Sequence, residues 1–432
     1  MEQWEKILKK QTNEELPKEV EEKIDSTLSS LTSKKPRRAW KYGISVAAVL
    51  LAFMVGTASL SPTIAQSIKT IPMVESVMKL VGSITEKEAA KQNLTVSIGE
   101  EVAIDGKTIT FTESFYDGTE VHISYVVSGV TDQSKGIFSD DLSFEVNGEE
   151  ITNYGYGVGG SRMDETTEAG TISITINNLP ESFTLAIKHK EDDWQVSIPV
   201  EKKGEETFVP IHQEAAYKEL TMNITSVSFT PTTTRLQYNL VYPEQTNIIT
   251  NEKQMLLQVE DEQGRVLRHS GASGSGYGLS NGLQSTTEKV NLERIDGETP
   301  KTLTIKPYIM DFQSNQNKAV ENSEAVWKGE SVTLSQGEMG SLTVTEVLRN
   351  GKDIEVIYEV QGEDAATQSS TFWLEDKQGN YIEGSRGEER LGANTFKQTF
   401  YDVGEEEELI FKTAQMESHE YIQDLEFTIT VD

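Results

Sequence analysis

The chain contains no cysteine and only five histidines in 432 residues, and both shortages exclude chemistry. Without thiols there is no disulfide framework, thiolate metal site, cysteine nucleophile or CxxC redox pair. The histidines His122, His189, His212, His269 and His419 are scattered through strand-like segments, none with a second ligand at metal spacing. His419-Glu420 lacks the later histidine that a zinc-protease helix needs. No GxSxG nucleophile elbow occurs, and carboxylates are so numerous that no pair stands out as acid and base. The residues therefore predict no enzyme and no cofactor. An exported chain without disulfides fits a bacterial envelope better than a eukaryotic secretory setting.

Positive charge is also scarce: 39 Lys and Arg face 70 Asp and Glu. Ten of the basic and eight of the acidic side chains fall in residues 1–41, and none in 42–60, which leaves 29 basic against 62 acidic beyond. A surface of that sign repels polyanions, so nucleic acid is not an expected partner.

Tyr42–Leu60 is a long apolar run without charge. Nineteen residues at helical rise span about 28 Å, close to the hydrocarbon core of a bilayer. A cleaved signal peptide is the competing reading, with small residues near Ala58 and Ala65. Its apolar region would be about 7–15 residues behind a short basic leader. Here the run is longer and forty-one residues precede it, which favours a retained anchor. Lys34, Lys35, Arg37, Arg38 and Lys41 crowd its N-terminal side, whereas the next cation after Leu60 is Lys69. The positive-inside rule then keeps residues 1–41 in the cytoplasm and sends the rest outside, with Trp40 and Tyr42 at the interface. No hydrophobic tail appears at the C-terminal end, so 42–60 is expected to be the sole anchor.

The segment before the anchor carries helical spacing. Trp4, Ile7 and Leu8 form a first cluster; Leu16, Val20, Ile24, Leu28 and Leu31 continue as one apolar stripe. Pro17 and Glu19, Glu21 and Glu22 suit a helix start, and Lys34 and Lys35 its end. So short a piece builds no core of its own. Its acidic face disfavours anionic lipid, so these eight apolar residues are expected to bind a protein partner. A passive helical spacer is the alternative.

Beyond Asn93 the pattern changes to period two. A strand of the form apolar-x-Tyr-x-apolar recurs at Ile123–Val127, Leu236–Leu240 and Val356–Val360. Each is followed by a hairpin turning at Gly148, Gly264 or Gly379, and by a late strand beginning Leu185, Leu303 or Leu409. The three markers agree on a period of about 115 residues, the size of a β-sandwich rather than a solenoid repeat. The expected fold is mainly β. It comprises a cytoplasmic helical segment (1–41), one transmembrane helix (42–60), a helical linker (61–92) and three tandem immunoglobulin-like sandwiches (93–203, 204–320, 321–432). In the linker, Ile64, Ile68 and Ile71, then Val74, Val77, Met78 and Val81, form stripes expected to dock on the first sandwich, with the outer leaflet as the alternative. The glycine-rich strings at 155–165 and 271–282 lack the strand-then-helix setting of a phosphate cradle and are expected to be flexible or bulged loops.

The order basic cluster, anchor, "SPTIAQSIKTIPMVESVMKLVG", then "VSIGEEVAIDGKTITFTESFYDGTEVHISYVVSG" resembles a family of Gram-positive single-pass membrane proteins. That family is defined by a domain of unknown function spanning the anchor and the first extracytoplasmic β segment. Its members are described as anti-sigma-factor-like, or as negative effectors of extracytoplasmic-function (ECF) sigma factors. The likeness covers about 36–130, and 206–320 resembles a second, immunoglobulin-like uncharacterised domain that accompanies it. The resemblance implies that residues 1–41 hold an ECF-type sigma factor while the ectodomain senses the envelope through a ligand the residues do not name. The alternative is a cell-surface binding or spacer protein with a passive cytoplasmic stub.

Overall fold

The computed structural model describes residues 76–432 apart from 105, 131–137, 139–141, 165, 177, 190–193, 251, 280–281, 296–298, 312–321, 386, 402, 405–407 and 432. The chain divides into two compact units, Met1–Met73 and Val74–Asp432, and everything described belongs to the second. The segment 1–41 expected in the cytoplasm, the apolar run 42–60 and the stripe at Ile64, Ile68 and Ile71 therefore lie outside the described residues. Among the described residues no helix is long and apolar enough to cross a membrane.

The described chain is mainly β, in antiparallel sheets that face one another in pairs around three cores. Two short helices, α1 (Val77–Val81) and α2 (Ile84–Lys91), come first. The first sandwich-like unit holds β1 (Val96–Ile104), β2 (Lys107–Tyr116), β3 (Val121–Ser128), β4 (Leu142–Val146), β5 (Glu149–Glu150), β6 (Tyr154–Arg162), β7 (Thr167–Ile176), β8 (Ser182–His189) and β9 (Trp194–Glu201). Its sheets run β1-β2-β3-β7-β6 and β5-β4-β8-β9. Then come β10 (Thr207–Tyr217), β11 (Leu220–Phe229), β12 (Thr233–Pro243), β13 (Lys253–Asp261), β14 (His269–Gly278), β15 (Leu283–Glu293) and β16 (Thr302–Asp311). The remainder is β17 (Asn322–Val326), β18 (Val332–Ser335), β19 (Gly340–Asn350), β20 (Asp353–Gly362), α3 (Ala365–Ser369), β21 (Phe372–Glu375), β22 (Tyr381–Ile382), β23 (Glu389–Arg390), β24 (Thr395–Phe400), β25 (Ile410–Ala414) and β26 (Phe427–Thr430).

Alternation explains most of these strands. Along β9, Trp194, Val196, Ile198 and Val200 are buried while Gln195, Ser197, Pro199 and Glu201 face water. The hairpin glycines Gly148, Gly264 and Gly379 all have left-handed φ, at 83°, 74° and 81°, which a side chain would resist. The three tyrosine strands, β3, β12 and β20, occupy the centre of the five-stranded sheets β1-β2-β3-β7-β6, β10-β11-β12-β15-β14 and β18-β19-β20-β24-β23.

Two expectations are corrected. The glycine-rich strings are edge strands, β6 and β14, rather than loops. A side chain at Gly160 or Gly170 would strike backbone oxygens of the facing strand and the Tyr125 hydroxyl, so glycine there admits the repeat tyrosine. The third boundary also fails. Strand β26 lies within 321–432, yet it pairs with β16 of the second sandwich, Leu303 opposite Ile429 and Thr304 opposite Thr428. Phe427, Ile429 and, from the approach to the strand, Ile422 and Leu425 join the second core. Strand β17 follows β16 in the chain but flanks β25 in the third sandwich instead. Alternation identifies a strand and its inner face; it carries no information about which of two like cores receives it.

Because Ile429 is fully buried in the second core, Ile429→Ala is expected to cost about 2–5 kcal/mol. The loss should appear in urea unfolding and in hydrogen exchange of β16, while the amides of β20 keep their protection.

Candidate functional site

The helices that open the described chain are built by local capping. Ser76 accepts from Lys79 N at 3.2 Å and donates to Glu113 Oε2 at 2.9 Å, which also accepts from Met78 N at 3.2 Å. Gly82 links the helices where a Cβ would lie 2.1 Å from Met78 O, so no other residue fits that turn unchanged. Ser83 N then donates to Glu86 Oε2 at 2.5 Å, one half of a capping box at the head of α2. Val77, Met78, Val81 and Ala89 are buried, with Met78 and Ala89 against Phe115 of β2. This cover explains why β3 is buried on both faces rather than on alternate residues.

Glu86 has no exposed surface. Besides Ser83, its carboxylate meets His122 Nδ1 at 3.0 Å and accepts from Thr171 Oγ1 and Ser173 Oγ, each at 3.2 Å. His122 stacks on Phe115 with ring centroids 5.8 Å apart. Its Nε2 makes no hydrogen bond, and Glu120 Oε2 lies 3.9 Å away. Burial opposes a charged imidazolium here. The hydrogen bond and charge of Glu86, helped by Glu120 and Asp117, outweigh it and leave the pKa raised. An imidazole pushed toward its protonated form, beside a fully buried carboxylate, is therefore what ties α2 to the first sandwich.

The same helix reaches the other two. Lys87 Nζ donates to Gly387 O at 3.1 Å, and Lys91 Nζ pairs with Glu389 Oε1 at 2.8 Å, both in the third sandwich. Gln92, which caps α2, donates to Pro231 O at 3.1 Å in the second. Its neighbours are themselves joined by buried charge. Asp117, fully buried, accepts from Thr119 on its own side and from Thr230 and Thr232 across the first junction. Arg268 and Arg390 grip Glu293, both at 2.6 Å, and Arg268 also reaches Glu388 at 3.0 Å. Burial alone would raise the Glu293 pKa, but the two guanidiniums hold it below the usual carboxylate range. Beside this cluster a cleft of about 480 Å³ opens between Ile84 of α2, Leu256 and Met310 of the second sandwich, and Asp364, Thr367 and Glu388 of the third.

Of the residues expected to bind a partner, Trp4, Ile7, Leu8, Leu16, Val20, Ile24, Leu28 and Leu31 all lie outside the described residues. The residues that do converge, Glu86, His122, Asp117, Arg268, Glu293 and Glu388, were not singled out from the sequence. One signal was available: Ser83-Ile84-Thr85-Glu86 is a capping box, which marks the helix start but not its burial. Among the described residues no group of three His, Asp or Glu is placed to hold a metal ion.

Because the folded His122 pKa lies above its ordinary 6.5, its contribution is complete below that value and is lost as pH rises through the folded one. Hydrogen-exchange protection factors for residues 85–90 should therefore fall on going alkaline, and His122→Phe should remove the dependence. Glu86→Ala, which strands His122, is expected to cost about 3–5 kcal/mol in urea unfolding.

Residues 35–129 match a domain of unknown function (DUF4179), and residues 206–334 match a family of unknown function (DUF5643). No curated protein matches the chain. Among solved structures, a conserved domain protein from Bacillus anthracis is 13% identical, with a TM-score of 0.43 over 61% of this chain and 93% of that one. The chain is thus similar, across its basic cluster, docked helices and second sandwich, to two domain families defined without a function.

Proposed function

We propose that the chain is a non-enzymatic, membrane-anchored regulator of the anti-sigma type. Three immunoglobulin-like sandwiches lie outside the membrane and sense the envelope, residues 42–60 cross it, and the stripe Leu16, Val20, Ile24, Leu28 and Leu31 holds an ECF-type sigma factor inside. One observation carries the reading. A helix of eight residues, placed in sequence between the apolar run and the sandwiches, is held with its C-cap by polar groups of all three: side chains of His122 and Glu389 and the backbone carbonyls of Gly387 and Pro231. A helix tied only to its nearest neighbour would report one domain; α2 is sensitive to every relative movement of the three.

The physical requirement for signalling is differential binding. An envelope ligand shifts the ectodomain only by as much as it prefers one arrangement over another. Docked α2 keeps Glu86 neutralised by His122 and keeps Lys87 and Lys91 paired. An arrangement that separates the sandwiches removes the partners of Lys87, Lys91 and Gln92 and leaves α2 held by the first sandwich alone, which favours undocking. The similarity to DUF4179 over 35–129 supports a shared anchor-plus-ectodomain design.

Full-length protein solubilised from membranes and used to capture partners from a Gram-positive lysate provides the test. A sigma factor is expected to be retained, and Val20→Asp with Ile24→Asp should abolish retention. If no sigma factor is retained, or if the double variant retains it unchanged, the regulator reading fails in favour of a surface binding or spacer protein.

A further inference from the structure

The second and third sandwiches each lack the closing strand that their own chain order would supply. In the first sandwich the strand after β8 is β9, and it closes the sheet it follows, Leu185 opposite Ile198 and Ala186 opposite Ser197. Strand β26 sits on β16 in the equivalent register, Leu303 opposite Ile429 and Thr304 opposite Thr428, although β16 belongs to the preceding sandwich. Its sequence Phe427-Thr-Ile429-Thr-Val431 repeats the inward pattern of Val196-Ser-Ile198-Pro-Val200. The strand that follows β16 is β17, and it has moved the other way. Five residues, 202–206, connect β9 to β10, and five, 327–331, connect β17 to β18. At the first junction the strand before that link stays home. At the second it pairs with β25, Glu324 opposite Lys412 and Ala325 opposite Phe411.

We propose that the second and third sandwiches exchange these closing strands reversibly, so that the ectodomain has two closures: the exchanged one seen here, and a home closure in which β17 returns to β16 and β26 to β25. The backbone inventory is the same in both, since each closure gives β16 one partner strand and β25 one partner strand. The acceptor edges are alike, with Leu303-Thr-Ile305-Lys306 on β16 and Leu409-Ile-Phe411-Lys412 on β25. What distinguishes the closures is the crossing segment between β25 and β26. In the exchanged form His419 stacks on Tyr308 at 3.9 Å and meets Asp364 Oδ2 at 3.1 Å, while Tyr421 donates to Gln258 at 2.5 Å. Ile422 and Leu425 fill the second core. These contacts form a lock, because they exist only while the segment spans both sandwiches. Opening it unties the second sandwich from the third, and with them the Arg268–Glu388 contact that borders α2 and the cleft. The inference concerns the described sandwiches alone and stands whether or not the cytoplasmic segment binds a sigma factor.

The cysteine-free chain allows a clean test, since every thiol is an introduced one. Two double variants of the full chain share Thr428→Cys. Thr304→Cys traps the exchanged closure, and Ile410→Cys traps the home closure, being the position on β25 equivalent to Thr304. Under mild oxidation the first pair should cross-link rapidly. The second should cross-link slowly within one chain, to a product that keeps its cooperative unfolding. Adding His419→Ala, which removes the stacked, hydrogen-bonded ring, should speed the second reaction about tenfold, the factor for one hydrogen bond of about 1.4 kcal/mol. The proposal is overturned if Thr304/Thr428 cross-links and Ile410/Thr428 does not. It is equally overturned if the second disulfide forms only between chains, or no faster than the amides of β20 exchange by global unfolding.

Discussion

A carboxylate with no access to water, at the head of a two-turn helix, must be neutralised by whatever it is packed against. Glu86 is in that position, and much of the surrounding architecture answers to it. His122, Thr171 and Ser173 come from β3 and β7, the neighbouring strands at the heart of the first sheet, and point away from its core. That sheet can therefore present polar groups on a face which α1 and α2 then seal. The interaction is conditional: it holds while the helix stays down, and it turns costly if the partners separate while the carboxylate remains buried. Such a contact positions a helix more sharply than an apolar stripe, which tolerates sliding.

The same logic governs the joints between sandwiches. Asp117 at the first and the Arg268, Glu293, Glu388 and Arg390 group at the second are buried and matched, two cations against two carboxylates in the latter case. Networks of this kind often contribute no more stability than well-packed hydrophobic residues would. Their value lies in geometry: Arg390 also donates to Val266 O and lies over Phe396, so a small rotation between the sandwiches breaks several bonds together. Within the closure seen here, the domains are thereby held in one arrangement instead of a range of similar ones.

Much of the β architecture was legible in the sequence because its determinants are local. Period-two alternation located β3, β12 and β20, and the hairpin glycines marked turns whose φ only glycine adopts readily. Recurrence of the tyrosine strand counted the five-stranded sheets. The site was not legible, for equally physical reasons. Glu86, Lys87 and Lys91 lie in "ITEKEAAK", which reads as the solvated face of an ordinary helix; only the tertiary setting buries the first and pairs the others. His122 falls on the non-core side of β3, where alternation predicts water. Arg268 and Glu293 are far apart in sequence and resemble any other strand-end charges. The destination of β26 was equally hidden, since "FTIT" suits any core with an open edge.

The exchange of closing strands also sets an order of events during synthesis. Strand β16 emerges long before β26, and the whole third sandwich is made in between. Throughout that interval the only closing strand within reach of β16 is β17, the next one made, and the exchanged closure pays a long-loop entropy before β26 can bind. An open edge is a template for pairing with any extended segment nearby. A nascent chain of this kind depends on a protective binder, or on the negative charge of its neighbours, to keep foreign strands off that edge until β26 arrives.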